Sequence, residues 1–280
     1  MMTTPTVVLT NNKGGVGKTT TTTNFAYGLC ESLKQAGAAN PRVLIVDTDS
    51  QAHATLTTTG NKDYSRHNSL CAVLSAERKE VAPVLSRVIV ASHWLPDLHV
   101  LPASTELEAT ERELFSTAGA PYRLADALSV IRHHYAAIVI DTRPSSSLLT
   151  EMGLLAATDA VITLEPRYLE TVGLQSVINK IMDIREGWRH PDLRLSGIVV
   201  TKFDKRVKGH QEMVDSLRQH PSLGKLVCGV IPANEAVAYA HRSHLSVYAY
   251  DPTSPASQAY AQMVGTLLKH LLTKPSGERV

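Results

Sequence analysis

The chain has 280 residues, 43% hydrophobic and 19% charged, which suits one large α/β domain with a substantial core. Its net charge is only +2 and is unevenly spread: 14 Lys+Arg face 9 Asp+Glu from residue 180 onward, against 14 and 17 before it. That balance permits a polyanion partner without demanding one, and no apolar run approaches the roughly 18 residues of a membrane span.

In chain order, short β-rich runs alternate with longer helical patterns. The runs are "TVVLTN" (6–11), "RVLIVDTD" (42–49), "LHVLPA" (98–103), "AAIVIDT" (136–142), "AVITLE" (160–165), "LSGIVVTKFD" (195–204) and "LVCGVIP" (226–232). Most are continuous Val/Ile/Leu stretches, the pattern of strands buried on both faces of a parallel sheet. Helices are expected over 18–36, 104–117, 121–134, 169–187, 207–219 and 255–273; in the first, Phe25, Ala26, Leu29 and Leu33 form one apolar stripe. This alternation implies βαβ units with right-handed crossovers, hence a mostly parallel twisted sheet flanked by helices. Residues 60–69 read as a polar surface loop, and 274–280 as a flexible tail after a single domain spanning 1–273. The N-terminal stretch lacks a basic region followed by an apolar one, so no signal peptide is expected. Cys30, Cys71 and Cys228 have no metal or redox spacing and fit a reducing, cytoplasmic setting.

Chemistry concentrates in "NNKGGVGKTTTTTNFA" (11–26). A strand ends near Thr10, glycines follow, and a helix begins near Lys18, so backbone N–H groups and a helix N-terminus form an anion cradle. Gly17-Lys18-Thr19 matches the end of the phosphate-loop pattern, with Asn12 where that pattern has its first glycine. Lys18 then serves β/γ-phosphates and the Thr19 hydroxyl serves Mg²⁺. Asp47, Asp49 and Asp141 stand at strand C-terminal ends, where ligand crevices of α/β sheets lie and where a buried carboxylate is costly unless paired or near a metal.

These segments resemble the deviant Walker A P-loop ATPases of the ParA/MinD superfamily, specifically the ParA (Soj) DNA-partitioning type. The resemblance covers nearly the whole chain. It implies that Lys13 is a signature lysine reaching the phosphates on a partner subunit, in a nucleotide-sandwich homodimer. "VLIVDTDSQAHAT" (44–55) resembles the segment of form D-x-D-P-Q-x-N, with Ser50 at the proline and His53 near the asparagine. By it, Asp47 supports the phosphate region and Asp49 orients the attacking water. "IVIDTRPSSS" (138–147) resembles the Walker B form D-x-P-P-S, with Arg143 at the first proline, and implies that Asp141 holds Mg²⁺. "IPANEAVAYAHRSHLSVYAYDP" (231–252) aligns without gaps to a family segment whose match places Pro232 and Asn234 at adenine. The nucleotide set is therefore Lys13, Gly14, Gly15, Val16, Gly17, Lys18, Thr19, Thr20, Asp47, Lys202, Pro232 and Asn234, with ATP and Mg²⁺ as cofactors. "TKFD" (201–204) also resembles a guanine-reading motif of related GTPases, where a carboxylate accepts from the base; the overall match favours ATP.

The family implies a weak intrinsic ATPase that dimerises on ATP, binds double-stranded DNA without sequence preference at the nucleoid, and is stimulated by a ParB-like partner. Two family arginines are Ala233 and Ala236 here, so DNA contact is expected from Lys205, Arg206, Lys208 and Arg242. Competing readings are a MinD-like membrane ATPase, a metabolic ligase on the same fold, or a nucleoid-based positioner of a protein cargo. An apolar stripe over 260–274 reads as core rather than membrane anchor, and no membrane partner is expected. The P-loop begins within a dozen residues of Met1, so an N-terminal helix-turn-helix is not expected.

Overall fold

The computed structural model describes residues 4–167, 170–188 and 190–272. Among these residues eight strands form one sheet: β1 (Thr6–Thr10), β2 (Val43–Asp47), β3 (Val90–Ala91), β4 (Leu98–Leu101), β5 (Ala137–Asp141), β6 (Asp159–Leu164), β7 (Arg194–Phe203) and β8 (Val227–Pro232). Their order is β3-β4-β2-β5-β1-β6-β7-β8. Every pairing is parallel except β3 with β4.

Successive side chains of β1 enter opposite layers. Val8 joins the core beneath one face, while Val7 and Leu9 join the other. All five residues of β1, β2 and β5 are buried, which is why these strands read as unbroken apolar runs rather than alternating ones. Each fully buried Val, Ile or Leu contributes about 1.5–3 kcal/mol relative to exposure.

Among the described residues twelve helices cover the sheet: α1 (Lys18–Gln35), α2 (His53–Thr59), α3 (Leu70–Ser75), α4 (Val81–Val88), α5 (Leu107–Leu114), α6 (Arg123–Ile131), α7 (Leu148–Ala156), α8 (Glu170–Gly187), α9 (Lys208–Gln219), α10 (Glu235–Arg242), α11 (Val247–Tyr250) and α12 (Pro255–Leu272). Helices α1 and α12 pack together on one face through Phe25, Leu29, Tyr260, Met263, Val264 and Leu267. Helices α3 to α9 supply the opposite layer. Leu33, expected on the α1 stripe, is only partly buried at the rim of that core. The 260–274 stripe is core as expected at Tyr260, Met263, Val264 and Leu267, with Leu268 and Leu271 partly buried against it and Leu272 exposed, and among the described residues no helix is long and apolar enough to cross a membrane. The tail at 274–280 lies outside the described residues.

Elements that periodicity missed have physical reasons for their silence. Seven of the nine residues of α7 are buried, so no polar face marks it. Helix α2, "HATLTTT", is rich in β-branched threonine, a weak helix former. Strand β3 is two residues long and sits at the sheet edge, where shortness discourages pairing with another chain. The expected helix over 104–117 contracts to Leu107–Leu114.

Because β5 lies beside both β1 and β2, the ends of these three strands converge. Leu9 aligns with Asp141, and Asp141 with Asp47. The loops leaving β1, β2 and β5 thus open at the same end of the sheet, around the central strand order β2-β5-β1.

Candidate nucleotide site

The loop between β1 and α1 is pinned at its start by Asn11. Its Nδ2 donates to the Thr163 carbonyl at 2.6 Å, and its Oδ1 accepts from the Lys13 amide at 2.9 Å. Val16 is buried, and its carbonyl accepts from the Thr201 hydroxyl at 2.9 Å, tying the loop to β7. Gly14 packs by the Pro144 ring, while Gly15 and Gly17 adopt φ of 75° and 76°. Gly17 is also the N-cap of α1; it offers no side-chain cap, and the first helical turn holds no acidic residue. The N–H groups that open a helix lack internal acceptors, so this end is suited to an anion.

Lys18 is buried, and its Nζ donates to the Lys13 carbonyl at 2.7 Å. Burial lowers its pKa, while the charges of Asp141 and then Asp49 oppose that shift. Lys13 itself is exposed on the rim. Lys202 holds a left-handed backbone with φ of 52°; its Nζ donates to the Gly15 carbonyl at 2.6 Å and pairs with Glu165 at 2.6 Å. Its charge therefore buttresses the loop beside the cavities that it also lines, a role that "TKFD" did not advertise.

The carboxylates are fully enclosed by donors. Asp141 Oδ2 accepts from the Thr19 hydroxyl at 2.8 Å and Oδ1 from the Thr22 hydroxyl at 2.9 Å. Asp47 Oδ2 accepts from the Thr55 amide and hydroxyl at 2.8 and 2.7 Å, and its Oδ1 accepts from the Asp49 amide at 3.1 Å. Burial is the main cause pushing both carboxyls above the usual range; the charge of Asp47 adds to the rise at Asp141 across the β2–β5 pair, and that of Asp49 adds to the rise at Asp47. Asp49 is half-buried past the end of β2 and receives the Gln51 amide at 3.0 Å.

A cavity of about 500 Å³ opens over this floor, lined by Gly15, Gly17, Lys18, Thr19, Thr20 and Asp49 among others. Its lining includes Lys18 and not Lys13. A second cavity of about 500 Å³ adjoins it, lined mainly by β8 and α10 residues such as Ile231, Pro232, Asn234 and Val237. Gly17, Thr20, Lys202 and His241 line both. One compartment is charged and hydroxyl-rich and the other largely apolar, the division a nucleotide requires. The Asn234 Oδ1 caps α10 by accepting from the Ala236 amide at 2.9 Å, which leaves its amide hydrogens to serve a ligand.

Two sequence motifs carry local ion pairs that the sequence did not show. Asp204, the carboxylate of the guanine-like motif, does not line the apolar cavity. It is held by the Arg206 guanidinium at 3.0 and 2.7 Å, which keeps its carboxyl well below the usual range. No carboxylate lines that cavity among the described residues. The basic cluster expected after β7 is also partly self-neutralised: Arg206 pairs with Asp204, and Lys208 pairs with Glu212 one helical turn on. Arg242 instead sits at the mouth of the apolar cavity, its guanidinium 5.9 Å from the Tyr239 ring centre. Arg143 lines the phosphate compartment, but its guanidinium pairs with Glu111 at 3.2 Å and Glu108 at 3.4 Å. Motif reading gave no role to Thr22, Thr55 or Glu165, and read His241 only as a pH-dependent companion of Arg242 in DNA contact. Their signal was tertiary, except that a run of threonines after the lysine already offered hydroxyls at helical spacing.

Residues 4–195 match the AAA domain family. The chain is 34% identical over 259 residues to the chromosome partitioning protein ParA of Caulobacter vibrioides, covering 92% of this chain and 91% of that protein. It is 33% identical over 257 residues to the chromosome-partitioning ATPase Soj of Thermus thermophilus, covering 92% of each. Its structure is similar to that of cobyrinic acid a,c-diamide synthase from Mycobacterium smegmatis with bound ATP analog and magnesium, with TM-score 0.73, 26% identity and 95% of each chain covered. The phosphate loop, the aligned carboxylates and similarity along nearly the whole length converge: the chain belongs to the ParA/Soj family of partitioning P-loop ATPases.

Proposed function

We propose that this chain is a partitioning ATPase that ATP switches from monomer to a two-fold dimer able to bind DNA. The observation that carries the reading is the division of labour between two lysines. Lys18 is buried in its own phosphate compartment, whereas Lys13 lies on the exposed rim and does not line that compartment. A second copy facing this rim would bring its own phosphates to Lys13, completing two sites at once.

The cradle fits ATP with Mg²⁺. Backbone amides of Gly14 to Thr20 and the Lys18 ammonium receive the phosphates. The Thr19 hydroxyl and Asp141 carboxylate, 2.8 Å apart, are the groups that would hold Mg²⁺, with Thr22 fixing Asp141 from behind. Ser145, whose buried Oγ has no hydrogen-bond partner among the described residues, adds a further hydroxyl at the same cavity. Bound there, the cation would neutralise the charge developing on the phosphates. Asp47 anchors the loop through the Asp49 amide and α2 through Thr55. Asp49, past the strand end and lining the cavity, orients the attacking water. Pro232 packs the base and the Asn234 amide donates to its ring nitrogens. An apolar compartment without a carboxylate supports adenine over guanine.

DNA binding is assigned to Lys205 and Arg242 from each of two subunits, with Arg206 and Lys208 contributing once phosphate competes with Asp204 and Glu212. Such binding is electrostatic and weakens steeply with salt. A ParB-like partner that stimulates turnover completes the cycle, at the nucleoid in the cytoplasm.

Lys13→Ala tests the reading. Calorimetry should show ATP still binding, while sedimentation shows no ATP-dependent dimer and turnover falls. Dimerisation and turnover surviving intact would overturn it.

A further inference from the structure

Two histidines from opposite walls meet above the phosphate cavity. His53 is the first residue of α2, set there by Ala52, a non-glycine residue held left-handed with φ of 53°. His241 stands near the end of α10. Their ring centres are 6.4 Å apart with planes at 70°, and both line the phosphate compartment. His241 also lines the apolar compartment, so it sits at the passage between the two.

That passage is where the sugar and first phosphate of a nucleotide must lie when its base and terminal phosphates fill the flanking cavities. We propose that His53 and His241 form a two-sided clasp on the sugar and α-phosphate, contacting the bound nucleotide through imidazole nitrogens. The inference rests on the nucleotide reading above. Both residues are exposed, so they are available to a ligand. The rings stand edge to face, and both border the cavity that a bound nucleotide would fill. Burial, then the neighbouring His53 and His244, holds the His241 imidazole below its ordinary pKa, which favours a neutral ring able both to donate and to accept. The clasp joins α2, which follows the Asp49 loop, to α10, which carries the base-binding Asn234. It therefore ties the walls of the two compartments together across the bound sugar.

The test uses the full chain and His53→Ala, His241→Ala and the double variant, with ATP, ADP and inorganic tripolyphosphate as probes in calorimetry. Each single change should weaken ATP and ADP alike by about two- to tenfold, the size of one net hydrogen bond, and the double change more. Tripolyphosphate, which has no sugar, should bind all four proteins equally. Circular dichroism melting confirms that the variants fold; His241→Gln, which keeps a polar side chain with a donor and an acceptor, should recover part of the loss. Wild-type binding of ATP with unchanged affinity in the double variant would overturn the clasp and leave the nucleotide reading standing. Failure of the wild type to bind any nucleotide would overturn both.

Discussion

Thr55→Val isolates the support of a buried carboxylate without opening a cavity, because valine closely matches threonine in shape. The Thr55 hydroxyl donates to Asp47 Oδ2 at 2.7 Å and accepts from the Ala103 amide at 3.0 Å, and Asp47 and Ala103 are both completely buried. The change removes a bond to an ionised acceptor, worth about 1.5–3 kcal/mol, and orphans a buried N–H, costing about 1–3 kcal/mol. The Thr55 amide bond to Asp47 survives, so the expected loss is about 3 kcal/mol in urea unfolding of the ligand-free protein. The effect must also depend on pH. Burial raises the folded Asp47 carboxyl above its reference value of 3.8, and the Thr55 hydroxyl opposes that rise. For a carboxyl raised in the folded state, stability is greatest below 3.8 and falls as pH climbs from there through the folded value. Valine removes a bond that favours the charged form, so the folded value rises further. The destabilisation should therefore be larger near pH 8 than near pH 5. A loss below about 1 kcal/mol at both pH values, or a larger loss at the lower one, would refute the reasoning.

Other outcomes follow from the same geometry. Gly17→Ala should cost about 1–2 kcal/mol, because φ is 76° and the new Cβ would lie 3.3 Å from Thr201 Cγ2; calorimetry should also show weakened nucleotide binding. Arg143→Ala should lower stability by about 2 kcal/mol by leaving the buried Glu111 with only the Leu149 amide, at 3.1 Å. Its turnover per folded molecule should be retained; a large fall in turnover at unchanged stability would make Arg143 part of the chemistry. Asp204→Ala should leave the ratio of ATP to GTP affinity unchanged, and a wild-type preference for GTP that vanishes in the variant would contradict the base assignment.

The central strands were legible because each is an uninterrupted apolar run ending in Asp or Thr, and burial on both faces demands that pattern. The phosphate loop was legible because its geometry is local: strand, glycines and helix start are contiguous in sequence. What escaped was whatever depends on distant segments meeting. His53 and His241 come together only because α2 and α10 converge over the loop, and Lys202 reaches Gly15 only because β7 carries it beside the loop and Glu165. Likewise, Arg206 and Lys208 look like a cationic patch along the chain, yet each has a carboxylate partner on its own element or turn. Helix α7 was silent because a helix buried all round has no stripe to read.

The Lys18 ammonium spends one of its hydrogens on the Lys13 carbonyl. An arriving phosphate oxygen that takes that hydrogen must displace a backbone acceptor of the same loop rather than water alone. Net affinity is then the difference between two charged-donor hydrogen bonds, each worth roughly 1.5–3 kcal/mol, so cis binding is tempered rather than maximal. The carbonyl set loose belongs to the residue whose side chain stands on the outer rim. On the dimer reading proposed above, filling the inner site would loosen the peptide that carries the outer lysine, coupling occupancy of one site to the residue offered to a second copy.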